Sequence, residues 1–154
     1  MSINDRLRKI QKELKNNTVL VAVSKTRKVS EILEAYNCGQ KVFGENRVQE
    51  LVQKNDELPQ DIEWHMIGHL QSNKVRYIAP FVDLIHSVDS LKLLSEINKR
   101  AIQNNRIIDC LIQVHIAKED SKFGFKISQI TDVIHQAQKL KGIKIKGLMG
   151  MATF

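Results

Sequence analysis

Short apolar, β-branched runs begin near residues 19, 41, 62, 82, 108 and 144, and helical patterns fill the gaps between them. This alternation constrains the fold more tightly than anything else in the chain. Strands separated by helices cannot close as hairpins, so they pair in parallel and stack their helices on the sheet. Two architectures fit: an open doubly wound sheet, or a (β/α)8 barrel of the TIM type. A barrel takes eight units in roughly 250 residues. This chain has 154 residues and supplies six strands, ending on the sixth. A domain rarely stops on an apolar strand. The chain is therefore expected to be one domain over 1–154 that lacks the last two βα units.

The first run, Val19-Leu20-Val21-Ala22-Val23-Ser24-Lys25, reads as a strand buried on both faces. Alternation along it would set Val19, Val21, Val23 and Lys25 on one face. Lys25 is then an amine at the C-terminal mouth of the sheet, the end where parallel α/β folds bind ligands. In a partly dry site such an amine loses its proton near neutral pH and attacks a carbonyl to form a Schiff base. Most lysines at strand ends are simply solvated, so the position alone does not decide the chemistry.

Around these strands, Ile3, Leu7, Ile10 and Leu14 recur at helical spacing. Ser30 is expected to cap a helix over Glu31–Tyr36, and Gly39 to end it. Pro59 and Pro80 stop two further helices. The third strand is expected over Ile62–Gly68, the fifth over Ile108–Ala117 and the sixth over Lys144–Thr153.

Several function classes lose support. No Gly-x-Gly-x-x-Gly or Walker loop follows the first strand, and there is no Gly-x-Ser-x-Gly elbow. The five histidines are scattered, so no metal site is expected. A net charge of +7 permits weak contact with nucleic acid. The lysines are spread along the chain and no aromatic stacking motif accompanies them, which leaves a basic nucleic-acid-binding domain as the alternative from another class. Cys38 and Cys110 have no metal-ligand spacing and suit a reducing compartment. The N-terminus lacks the apolar core of a signal peptide, and no run reaches membrane-spanning length. The expected location is cytoplasmic.

Two other strand ends carry polar groups. Gly44-Glu45-Asn46 closes the second strand, where a glycine lets a ligand approach the backbone and the asparagine donates or accepts a hydrogen bond. An ordinary turn would use the same residues. Gly68-His69-Leu70-Gln71-Ser72-Asn73-Lys74 follows the third strand, with Ser72 or Asn73 as a helix cap.

Taken together, Val-Ala-Val-Ser-Lys at 21–25, Phe-Gly-Glu-Asn at 43–46, Glu-Trp-His-Met-Ile-Gly at 63–68, Leu-Gln-Ser-Asn-Lys at 70–74 and Gly-Leu-Met at 147–149 resemble, in order and spacing, the pyridoxal phosphate homeostasis family. The polar loop Glu119–Gly124 fits as well. That family is similar to the N-terminal barrel of alanine racemase. The resemblance implies a barrel that holds pyridoxal 5′-phosphate (PLP) as a Schiff base on Lys25, in a cofactor-handling protein without an established reaction. It implies Gly44 and Asn46 as pocket borders, with His65 and Met149 as further candidates on strands that point to the same mouth. The family's phosphate-holding loops follow its seventh and eighth strands and have no counterpart here. PLP and PLP-dependent apoenzymes are the implied partners, with no specific nucleic acid and no membrane. Full-length members are expected to be monomeric. This shorter chain is expected to bind PLP more weakly and to self-associate through uncovered strand edges. A PLP-dependent racemase is the enzyme alternative, but it needs a second acid/base group that nothing in this sequence supplies.

Overall fold

The computed structural model describes residues 1–118 and 123–152. Its elements are α1 (Ile3–Glu13), β1 (Ala22–Val23), α2 (Val29–Asn37), β2 (Val42–Glu45), α3 (Val48–Glu57), β3 (Glu63–Met66), α4 (Val75–Ile78), β4 (Leu84–Val88), α5 (Leu91–Gln103), β5 (Ile108–Val114), α6 (Ile130–Ala137) and β6 (Ile143–Gly150). All six strands run parallel in the order β1-β2-β3-β4-β5-β6. The order never reverses. Right-handed crossovers in an unreversed sheet carry every helix to the same face. A doubly wound sheet needs a reversal, so this arrangement is that of a (β/α) barrel wall.

Burial follows from that winding. In β5, Ile108, Cys110 and Ile112 are fully buried in the core shared with Leu93, Leu94, Ile97 and Ala101 of α5, while Asp109 and Leu111 alternate with them and are half-buried. Trp64 and Met66 of β3, Phe43 of β2 and Ile85 of β4 complete the same layer. Each large apolar side chain withdrawn there contributes about 1.5–3 kcal/mol. Burial in this layer also pushes the Cys110 thiol up to about 12, so it packs as an inert apolar group.

The helix ends differ in part from expectation. Ser90 caps α5 by accepting the Leu93 N–H at 3.1 Å, and Ser2 and Asp5 form a capping box on α1. Helix α2 starts earlier than expected. Its N-cap is Lys28, whose N–H donates to the Glu31 carboxylate at 2.9 Å, and Ser30 lies inside the helix. The carboxylate satisfies the N–H of the N-cap residue itself, a different donor from the first-turn N–H groups that a capping serine takes. Gly39, at φ +99°, ends the helix as expected.

The first strand is the largest departure. Only Ala22 and Val23 pair as strand, and Val19 and Val23 are 66% and 51% exposed. An outer strand has one neighbour, and on the face away from the helices no layer covers these valines among the described residues. The run therefore has one buried side rather than two.

Candidate functional site

Lys25 lies just beyond the end of β1, in a turn rather than in the strand. The Arg27 N–H donates to the Ser24 carbonyl at 3.0 Å and closes a four-residue turn with Lys25 and Thr26 at its centre. Lys25 is exposed. Thr26 takes φ +61°, a left-handed conformation that a β-branched residue rarely adopts.

A buried ionic network on the helix side holds this turn. Glu45, at the end of β2, has no exposed surface, and Lys54 of α3 is 6% exposed. The Lys54 ammonium donates to Glu45 Oε1 at 2.5 Å, to the Ser24 carbonyl at 2.7 Å and to Glu50 Oε2 at 3.1 Å. Those three bonds use all three of its N–H groups. Ser24 Oγ also donates to Glu45 Oε1, at 2.7 Å. Glu50 Oε2 accepts the Thr26 N–H at 3.1 Å. That N–H, and after it Lys54, holds the Glu50 carboxyl below the ordinary carboxylate range despite partial burial. The i,i+4 spacing of Glu50 and Lys54 was visible in the sequence, but nothing in it joined that pair to Glu45 or to the turn.

The other expected site residues are placed as follows. Gly44 lies on β2, where an added Cβ would stand 3.0 Å from both the Val21 and the Ile67 side chains. Glycine there answers to side-chain packing. Asn46 follows β2, and its Oδ1 is buried without a hydrogen-bond partner among the described residues. Asn46 lines a polar cavity with Arg47, Gln49, His69, Gln71 and Lys74. Gly68 packs against its backbone so closely that a Cβ would come within 2.4 Å of the Asn46 carbonyl oxygen. His65, on β3, is 8% exposed and sits level with Gly44, one layer below Asn46. It shares a hydrogen bond between its Nδ1 and His86 Nε2 at 3.0 Å, which sequence reasoning missed. Burial, and then the neighbouring His86, pushes the His65 imidazole down to about 4, and burial lowers His86 too. His65 lines a different cavity, with Glu63, Asp83, Arg106, Asp109 and Lys146 near the strand starts. Met149 of β6 is half-buried opposite Gln113 of β5. The expected set is thus distributed along the sheet: Lys25 and Asn46 at the C-terminal ends, His65 deeper, Met149 at the far strand.

A pair at the rim was also missed. His69 Nδ1 meets Asp89 Oδ2 at 3.0 Å, and the Phe123 ring stacks on His69 with centroids 4.0 Å apart. His69, Asp89 and Phe123 follow β3, β4 and β5 in turn, so only the fold brings them together. Of the polar loop Glu119–Gly124, residues 119–122 lie outside the described residues. Among the described residues no group of three or more His, Cys, Asp or Glu could hold a metal ion, and no helix is long and apolar enough to cross a membrane.

The alanine racemase N-terminal domain model matches residues 1–153. A protein of Aquifex aeolicus named pyridoxal phosphate homeostasis protein is 43% identical over 140 residues, covering 90% of this chain and 61% of its own length. The chain thus spans about three fifths of that relative. Synechococcus elongatus PipY, in a structure with PLP bound, superposes at a TM-score of 0.90 with 36% identity, covering 99% of this chain and 72% of PipY. Alanine racemase from E. faecalis shares the fold at a TM-score of 0.77 and 14% identity. On the strength of the matched model and these relatives, the chain belongs to the alanine racemase N-terminal domain family.

Proposed function

We propose that this chain binds pyridoxal 5′-phosphate and serves its homeostasis, with Lys25 as the covalent anchor. The observation that carries the reading is the exposed Lys25 amine in a braced turn at the C-terminal end of β1, in a chain 36% identical to a protein seen with PLP bound. The residues present fit the group. An exposed primary amine suits an aldehyde, and the orphaned Asn46 Oδ1 leaves a polar atom for a ligand group at the same end of the sheet. Lys25 would hold the group through its nitrogen, joined to the aldehyde carbon with the carbonyl oxygen lost as water. When bound, the cofactor supplies an electron sink. This chain's residues hold and orient it, and its role is that of a carrier to PLP-dependent apoenzymes rather than a catalyst.

The test is reductive trapping. The purified chain is mixed with PLP, reduced with borohydride and mapped by mass spectrometry, alongside Lys25→Ala. The label is expected at Lys25 and is expected to vanish in the variant. Unchanged labelling of Lys25→Ala, or a label spread over Lys28 and Lys74, would overturn the assignment.

A further inference from the structure

The network behind Lys25 is placed to do more than stabilise the fold. A left-handed threonine persists only where its surroundings over-determine it, and such residues collect at functional sites. Two contacts from α3 reach the backbone of the turn on either side of Lys25. Glu50 accepts the Thr26 N–H, and Lys54 donates to the Ser24 carbonyl. Those groups belong to the peptide units just after and just before Lys25. Both side chains rise from one face of α3, four residues apart, and Glu45 fixes Lys54 from below.

Regular backbone pairing does not do this work. Strand β1 offers two paired residues, and past them the Ser24 N–H makes one more bond, to the Gly44 carbonyl at 2.9 Å. From Lys25 onward α3 takes over the bracing. The two lysines consequently have opposite states. Lys54 is buried with every N–H engaged, and Lys25 is exposed with no hydrogen bond or ion pair among the described residues. The first is withheld from reaction and the second is presented for it.

We propose that Lys54 and Glu50 are positioning residues that aim the Lys25 amine by bracing the backbone on both sides of it. The inference rests on the reading of Lys25 as the covalent anchor. A reacting amine held in one direction gains over the same amine on a mobile turn, because orientation is settled before the encounter.

The experiment compares the wild-type chain with Glu50→Gln and Lys54→Met, each checked for folding by circular dichroism. Two quantities are read. The first is the rate of borohydride-trapped PLP labelling at Lys25 relative to Lys28 in the same molecule. The second, without any cofactor, is amide hydrogen exchange over residues 24–27. Glu50→Gln is expected to lower the Lys25 to Lys28 labelling ratio about tenfold and to speed exchange at Thr26. Lys54→Met is expected to do at least as much. If it fails to fold, Glu50→Gln decides alone. A purely structural role would leave the ratio unchanged. Wild-type labelling at Lys25 with the same ratio and the same exchange in Glu50→Gln would overturn this inference and leave the anchor reading standing. Absence of preferential Lys25 labelling in the wild type would instead overturn the anchor reading itself.

Discussion

Strand β1 pairs with β2 at two positions, whereas β6 pairs with β5 at seven. Both are outer strands of the described sheet. The far edge is held by a long backbone ladder that any sequence of adequate β-propensity could make. The near edge is held by side chains. Gln40, 4% exposed, donates to the Leu20 carbonyl at 2.8 Å and the Val42 carbonyl at 2.7 Å, tying β1 to β2 where the ladder is missing. Lys54 and Glu50 continue the job past the strand end. The edge that carries Lys25 is therefore fixed by chemically specific contacts, each of which a single substitution can remove.

The near edge is most vulnerable at Glu45. Glu45→Ala leaves the buried Lys54 ammonium without its closest counter-charge, and a buried pair that loses one member costs about 3–5 kcal/mol. Denaturant unfolding should show a loss of that size. A loss under about 1 kcal/mol would mean the pair behaves like a surface bridge. Next comes Gln40→Ala, which strips two carbonyls of a buried donor and is expected to cost about 1–3 kcal/mol. Faster amide exchange should follow over residues 20–24 and not over β5. Uniform acceleration across the sheet would show that the near edge is no separate unit. The smallest effect is expected at the far edge. Met149→Leu keeps volume at a half-buried position and should cost less than about 1.5 kcal/mol, since the β6 ladder does not depend on that side chain. A larger loss there would erase the contrast between the edges.

Much of this was legible in the sequence. The six strands and the parallel alternation follow from short β-branched runs separated by amphipathic patterns. Lys25 was placed at the C-terminal end of the sheet by the run before it. What escaped reading depends on which neighbour each residue meets. Glu45 looked like part of a closing turn. It is the last strand residue, and the same alternation that buries Phe43 turns it toward α3. Ser30 is no cap because the helix already begins at Val29, with the Glu31 carboxylate reaching back to the Lys28 N–H. The Val19–Lys25 run was read as buried on both faces because composition cannot tell an outer strand from an inner one. His65 and His86 were visible as residues but not as a pair, since their contact needs the register of β3 against β4.

The unreversed strand order also bears on how the sheet is assembled. Each strand pairs with the one immediately before it in sequence, from Ala22 against Phe43 to Ile108 against Ile143. Every closure therefore spans a loop of roughly twenty to thirty-five residues, over which the entropic cost varies by only about half a kcal/mol. No pairing in the sheet waits on a distant segment. Among the described strands, each one emerging from the ribosome after the first meets a partner already made.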